Sequence, residues 1–264
     1  MKKLIYGAMA LAMGMFIYSC EKGDDNNISS GEKKITSNIV EELNSIFGNI
    51  ESDNASFKLN VQLANESNPF DSVGVKHNEV LSYLNSLELT ESTICNSLTE
   101  ASREFDTRIT LNCQEILNVI NNGTSKTFDD LGNYKADLLD ELLSTDKISE
   151  NEYSIVNTTI ENVYNNNDLN QRIQLLKASE EYTKNSQVLT NTEKGRIQRT
   201  FAIYRYSTYY WEVETNKLAG PGADLADASA EHWLLNSPIS PAQDGADVSV
   251  LSGLISLMYF VLGY

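Results

Sequence analysis

Apolar side chains recur every three or four residues along most of the chain, and this spacing predicts helices rather than strands. A helix buries such a stripe against its neighbours, so the pattern predicts an all-α protein. The stripes cover residues 35–50, 80–87, 94–120, 134–143, 153–163, 173–182 and 197–211. The last of them consists of Ile197, Phe201, Tyr204, Thr208 and Trp211.

Several predicted helices begin at residues that are typical of N-caps. Ser149 with Glu152, and Thr190 with Glu193, match the capping box, in which each side chain accepts a hydrogen bond from the other residue's backbone amide. Asp168 is a natural N-cap for the helix that follows it. The glycines and proline at 220–222 indicate that the last striped helix ends near residue 218.

Two stretches ahead of the second stripe break the helical pattern. Residues 57–63 alternate between apolar and polar, and because one strand cannot make a sheet we predict an extended connector. Residues 68–74 include Pro69 and Gly74 and are typical of a loop, which leads into a predicted helix over 77–87. A further break is expected at 89–92.

The C-terminal stretch, residues 248–264, contains no charged side chain. It is shorter than the ~20 residues that a membrane-spanning helix needs, and a helix that is apolar on all sides is otherwise a buried one. We therefore predict an irregular multi-helix bundle around this apolar C-terminal helix. The helical domain is expected over 34–219, with an Ala/Gly-rich segment and the apolar helix, 220–264, packed on the same domain.

Charge excludes one class of partner. The formal net charge is −17, and removal of Lys2 and Lys3 with a leader would make it −19. Nucleic-acid binding requires clustered Lys and Arg, so no nucleic acid is expected as a partner. The acidity also argues against electrostatic attraction to anionic lipid.

The chain has three cysteines, and two of them, Cys95 and Cys113, lie within the predicted helical domain. On one continuous helix of 1.5 Å per residue they would be ~27 Å apart, so a disulfide requires a turn between them. No Gly or Pro lies between them, and only Asp106-Thr107 offers a cap. A disulfide remains open, but we expect two buried free thiols.

The N-terminus indicates export. Lys2 and Lys3 precede an apolar run over residues 4–17, and Ser19 stands before Cys20. This pattern resembles the lipobox signal peptide of bacterial lipoproteins. The resemblance implies that residues 1–19 are removed, that Cys20 is acylated, for example with palmitate, and that the protein is anchored to the outer membrane. The polar residues 20–33 are predicted to form an acidic flexible tether, similar to that of uncharacterised surface lipoproteins of gut anaerobes.

One local cluster contains residue types that bind ligands: Asp71, His77, Asn78 and Glu79. A junction between a loop and a helix can bind an anion or, through His and carboxylate, a metal. Zinc sites need three or four ligands, however, and the simpler interpretation is that His77 packs or hydrogen-bonds locally. We therefore name these four residues as binding candidates only, and predict no metal, cofactor or catalytic residue.

The aromatic run over 204–211 permits two interpretations. Exposed rings would form a platform for sugars, but on a helix these rings point in several directions. Tyr204 and Trp211 share a face with Phe201, so we predict core packing with Trp211 buried. This run and residues 71–81 resemble stretches of uncharacterised secreted helical proteins, a resemblance that implies no known chemistry.

Three functions remain open. The first is a non-catalytic binding or structural role at the cell envelope, with a protein or glycan partner that the sequence does not identify. The second is a membrane-active or contact-dependent effector that uses the apolar C-terminal helix. The third is a hydrolase that uses the His77 region, although no nucleophile elbow, zinc-protease motif or phosphate loop is present.

Overall fold

The structure is a computed structural model that describes residues 30–53, 62–87, 93–105, 114 and 136–214, together with 224, 225, 227–229, 232 and 236. These residues are mostly helical and contain no strand, which confirms the predicted all-α fold. Cys20, the residues of the 20–33 tether before Ser30, most of the 57–63 connector and the apolar stretch 248–264 lie outside the described residues.

The helices follow in the order α1 Ser30–Asp53, α2 Asp71–Ser86, α3 Ile94–Glu104, α4 Asp137–Ser144, α5 Glu150–Tyr164, α6 Leu169–Asn185 and α7 Asn191–Tyr209, and a π-helical turn, Tyr210–Glu214, continues α7. Contacts divide the chain into two units, Met1–Ser37 and Asn38–Tyr264. The core and all the sites considered below belong to the second unit.

Helix α7 is the most enclosed of the described helices. It packs against α2 on one side and α6 on another, and it also contacts α5. Its predicted stripe is confirmed, since Phe201 and Tyr204 are fully buried and Trp211 is 1% exposed. The helix nevertheless buries more than one stripe, because nearly every side chain from Ile197 to Thr208 is inaccessible. A helix buried on all sides must place its polar side chains against partners from other elements.

Six buried residues beyond the π-helical turn pack against this core. We call them the docking residues: Asp224, Leu225, Asp227, Ala228, Ser229 and His232. Leu225 and Ala228 belong to the apolar core, whereas the remaining four bring polar groups to it. These described residues between 224 and 232 therefore supply part of the core.

All three predicted N-cap side chains accept the expected hydrogen bond from a backbone amide, but only one of the two predicted capping boxes is complete. The hydroxyl of Thr190 and the carboxylate of Glu193 form the complete capping box of α7, and Asp168 accepts a hydrogen bond from the amide of Gln171 at 2.9 Å. The box predicted at Ser149 is half formed. Ser149 accepts from the amide of Glu152, but the Glu152 carboxylate binds Arg196 instead of returning to Ser149. A guanidinium offers that buried carboxylate a stronger, charge-assisted bond.

Helix α2 begins earlier than predicted. Residues 71–74 are its first turn rather than a loop, so the expected start at residue 77 is wrong by six residues. The glycine that suggested a loop serves a different purpose, because Gly74 is buried at the contact with α7. A Cβ atom there would lie 2.6 Å from the carbonyl oxygen of Ala202, so only glycine permits this approach.

The expectation of free thiols is wrong for Cys95, which is disulfide-bonded. Cys113 lies outside the described residues. The prediction failed because it weighed a helix that continues past both cysteines, whereas α3 ends at Glu104 and Phe105 is its C-cap. The break predicted at 89–92 is consistent with the end of α2 at Ser86 and the start of α3 at Ile94.

Candidate functional site

The chemistry-bearing side chains of the described residues converge on α7 in four buried polar clusters. The first surrounds Arg205, whose side chain is completely inaccessible. Its Nη2 donates to Asp71 Oδ1 at 2.6 Å and to Glu180 Oε1 at 3.0 Å, and Nη1 donates to the carbonyl of Leu63. Burial raises the pKa of Glu180, although Arg205 and Asn65 oppose that effect by stabilising the charged carboxylate.

This cluster also makes hydrogen bonds to residues 63–68, the segment that precedes α2. The amide of Asn65 donates to Asp71 Oδ1 at 3.1 Å, and Lys177 Nζ donates to the carbonyl of Ala64 at 2.7 Å. Asn68 Nδ2 reaches the carbonyl of Gln198 at 2.9 Å. Irregular backbone has no internal ladder to satisfy its polar groups, so side chains of α2, α6 and α7 do so here. The arrangement fixes the entry of the chain into α2.

The second cluster surrounds Arg172 of α6, which is 2% exposed. Its guanidinium bonds to Asp224 and Glu212, and Thr208 donates to Asp224 Oδ2 at 2.8 Å. Glu212, which pairs with Arg172, belongs to the π-helical turn. Burial raises the pKa of Asp224, and Arg172 acts in the opposite direction.

The third cluster contains a buried carboxylate with neutral donors. Asp227 Oδ2 accepts from Ser207 Oγ and, at 3.2 Å, from Trp211 Nε1. His77 Nε2 lies 3.4 Å from Asp227 Oδ1, and both side chains are fully inaccessible. Within the described residues neither ring nitrogen of His77 has a hydrogen-bond partner. Ser207, His77 and Asp227 thus share one site, with the carboxylate at its centre.

The fourth cluster contains the other histidine of the chain. Arg196 donates two hydrogen bonds to Glu152, from Nε to Oε1 at 2.9 Å and from Nη2 to Oε2 at 2.5 Å. His232 Nδ1 lies 3.0 Å from Thr200 Oγ1, and its Nε2 lies 3.4 Å from Glu152 Oε1. The exposed fraction of the His232 side chain is zero. Burial, and to a lesser degree the positive charge of Arg196, lowers the pKa of His232 to about 3.

The four binding candidates named from the sequence do not share one site. Asp71 belongs to the Arg205 cluster, and His77 to the Asp227 cluster. Asn78 donates to the carbonyl of Tyr206 at 2.9 Å, and Glu79 is exposed and pairs with Lys76 at 2.9 Å. They lie along one helix, α2, but face different neighbours. Over the described ranges, no group of three His, Cys, Asp or Glu side chains is placed to hold a metal ion.

The aromatic run of α7 is core rather than a sugar platform. Tyr204, Tyr206, Tyr210 and Trp211 are all buried, with exposed fractions between 0 and 8%. Trp211 also packs edge-on against Tyr210, with ring centroids 5.3 Å apart. The face that a sugar ring would need is therefore covered by other residues of the bundle.

An open groove of about 470 Å³ lies on the surface between α1 and α6. Its lining comprises Asn38, Glu41, Glu42, Ser45, Ile46 and Tyr182. The Tyr182 hydroxyl donates to Glu42 Oε2 at 2.8 Å, and burial, with this hydrogen bond, raises the pKa of the tyrosine. The groove offers exposed carboxylates, an amide and hydroxyls, and is suited to a polar or cationic group.

Sequence reasoning missed the arginines and carboxylates of these clusters. Arg172 and Asp224 are 52 residues apart, and Arg205 and Asp71 are 134 apart, so no local spacing links them. One signal was present in the run over 197–211, where Thr200, Ser207 and Thr208 interrupt the aromatic residues. Small hydroxyl side chains within an apolar helix indicate buried hydrogen-bond partners.

No protein-family model, curated protein or solved structure matches the chain. Among the described residues, no helix has both the length and the apolar composition needed to cross a membrane.

Proposed function

We propose that this protein is a lipid-anchored component of the cell envelope with a non-catalytic binding or structural role. The acylated Cys20 would hold it at the outer membrane, and the polar residues 20–33 would separate the helical domain from the lipid. The proposal draws on the lipobox-like sequence that ends at Cys20 and on the acidic, polar residues that follow it. Stable anchoring requires more than one acyl chain, which a lipoprotein cysteine provides.

The observation that favours a non-catalytic role is the burial of the reactive side chains. His77, Arg172, Arg205 and His232 are each no more than 2% exposed. An acid–base or nucleophilic residue must come within hydrogen-bond reach of its substrate. Arg172 and Arg205 instead bind carboxylates of the same chain, and those contacts hold the helices together.

The geometry around His77 also disfavours the hydrolase alternative. In a Ser-His-Asp triad the histidine stands between the other two groups and accepts the proton of the serine. Here Ser207 donates directly to Asp227, and the carboxylate stands between the serine and His77. Ser207 is therefore placed as a hydrogen-bond donor to a buried acid rather than as a nucleophile.

The groove between α1 and α6 is the surface that we propose for binding. Glu41 and Glu42 are exposed there, and Glu42 accepts from Tyr182, whereas Glu180 and Asp224 are buried in ion pairs with arginines. A polar or cationic group of a protein or glycan partner would match its carboxylates and hydroxyls. The helices beneath it would serve as a rigid support.

Anchoring is tested by changing Cys20→Ala and growing cells with an alkyne-tagged fatty acid. The parent chain should incorporate the label and partition into detergent, and the variant should lose all of the label, because the acylated thiol is gone. Ser19→Ala is the matched control, since it keeps a small residue before the cysteine and should be labelled like the parent.

Two results would contradict the anchoring proposal. Label on the Cys20→Ala variant would place the acyl group on another residue. An unlabelled parent chain would mean that the N-terminal sequence acts as an ordinary secretory leader.

A further inference from the structure

The two histidines of the chain are both fully buried, and both lie where the docking residues meet the helical bundle. His77 belongs to α2 and faces Asp227, which is a docking residue. His232 is itself a docking residue and faces Glu152 of α5 and Thr200 of α7. Imidazole is the one common side chain whose unperturbed pKa gives it a change of charge between about pH 5 and 8, and burial shifts that pKa. The surroundings of these two rings therefore decide how docking responds to acid.

We infer that protonation of His232 releases the docking residues from α5 and α7, so that the domain contains an acid-sensitive latch. The inference goes beyond the proposed anchoring and binding role and does not depend on it. It concerns a change of conformation in the described part of the domain.

The charges around His232 are already balanced without a proton on the ring. Glu152 carries one negative charge, and Arg196 neutralises it through a two-pronged contact with both carboxylate oxygens. A proton on His232 would add a second positive charge to a site that water does not reach. A buried charge without a counter-charge is strongly unfavourable, and undocking exposes the ring to water.

The carboxylate that faces His77 is not neutralised in the way that Arg196 neutralises Glu152. Asp227 accepts from the neutral donors Ser207 and Trp211, and no arginine or lysine among the described residues contacts it. A proton on His77 would therefore be matched by the carboxylate 3.4 Å away. Both rings are equally buried, so His77 is a matched control for the effect of the charges that surround His232.

The direction of the pH effect follows from the pKa of His232, which burial and Arg196 lower from 6.5 to about 3 in the docked state. Between these values the released ring binds a proton that the docked ring cannot bind. Falling pH therefore favours release, by up to about tenfold per pH unit for one proton. Burial raises the pKa of Glu152 and Asp224, which opposes this effect, since those acids take up protons more readily when docked.

Trp211 provides a probe for release, because its ring is buried and donates to Asp227. The chain has two tryptophans, so Trp233→Phe leaves Trp211 as the one fluorescent indole. We would follow Trp211 emission in urea between about pH 4 and 6, with the full detergent-solubilised chain, and compare it with helix content from circular dichroism. The released-to-docked ratio should rise up to about tenfold more per pH unit in the parent than in His232→Asn. His77→Asn, which removes the other fully buried ring, should not weaken this dependence.

Retention of helix content while Trp211 emission changes would support release of the docking residues alone. Equal pH dependence in the parent and in His232→Asn would overturn the inference, as would simultaneous loss of helix content and emission. If His232→Asn does not fold, carbon-13 NMR of the imidazoles in the parent supplies a second test. The His232 ring should stay neutral until Trp211 emission changes. A ring that titrates near its ordinary pKa while Trp211 stays buried would equally overturn the inference.

Discussion

At the scale of single residues, the described domain depends on charged groups in places where charge is rare. Arg205 and Arg172 are buried almost completely, and charged side chains reach such positions only when they are paired. Each guanidinium faces two carboxylates, Asp71 and Glu180 for Arg205, and Glu212 and Asp224 for Arg172. Removal of an arginine leaves a buried carboxylate, Glu180 or Asp224, without its counter-charge, which costs more than the intact pair contributes.

The Arg205→Met substitution tests this directly. Methionine fills similar space without charge, so Glu180 would lose its counter-charge and Asp71 would lose a donor. We expect the free energy of unfolding, measured in urea, to fall by about 3–5 kcal/mol. Arg199→Met is the control, because Arg199 lies over the Phe70 ring at 4.6 Å on a partly exposed face and should cost less than about 1 kcal/mol. Equal losses in the two variants would contradict the importance of the buried pairing.

Single-residue burial was predictable only where it followed the apolar stripe. The stripe correctly placed Phe201, Tyr204 and Trp211 in the core. The stripe did not predict that Arg205, next to Tyr204, is buried. The cost of burying its guanidinium is offset by carboxylates that are distant in sequence. Local periodicity contains no information about such partners.

At the scale of elements, α2 and α7 approach each other closely at Gly74. Gly74 has no side chain, so the backbone of α2 can lie against Ala202 and the ring of Tyr206. Asn78, one turn further along α2, donates to the carbonyl of Tyr206 across the same contact. The position of α2 also sets the positions of Asp71 and His77, which lie on either side of this contact.

A pair of glycine substitutions measures this approach. In Gly74→Ala the new Cβ would lie 2.3 Å from Tyr206 Cδ2 and 2.6 Å from the Ala202 carbonyl oxygen, so the helices must separate. We expect a loss of about 1–3 kcal/mol in the free energy of unfolding. In Gly195→Ala the nearest contact is 3.5 Å, from Phe70 Cζ, and the better helix propensity of alanine should raise stability by up to about 1 kcal/mol. Effects of the same sign in the two variants would show that the α2–α7 contact yields more easily than the structure implies.

Helix starts were predictable where the cap depends on neighbouring residues alone. Thr190, Glu193 and Asp168 satisfy nearby backbone amides, and their caps are confirmed. The start of α2 was not predictable, because Gly74 reads as a loop signal unless its contact with α7 is known. Glu152 was assigned to a local capping box for a similar reason, and the distant Arg196 binds it instead.

At the scale of the whole described domain, α7 is enclosed by three helices, α2, α5 and α6, and by the docking residues. The periodicity of the chain predicted the helical class and most of the helices. It did not predict that a helix with several polar side chains would be so enclosed, because such a helix looks amphipathic in sequence. The docking residues supply the carboxylates that Arg172, Ser207 and Trp211 require, so the domain is incomplete without them.

A chain truncated after residue 219 tests this completeness. It would lose the fully buried Leu225, worth about 1.5–3 kcal/mol, and would break the buried pair of Arg172 with Asp224, a further loss of about 3–5 kcal/mol. Together these losses lie mostly in the lower half of the total stability of an ordinary domain, about 5–15 kcal/mol, so we expect the truncated chain to keep its helix content by circular dichroism but to unfold at much lower urea than the full chain. The full chain with Asp224→Asn is the control, because it keeps the apolar contacts and loses only the counter-charge of Arg172. It should remain folded but unfold at lower urea. A truncated chain as stable as the full one would mean that the helices up to residue 214 form an independent domain and that the docking residues merely rest on it.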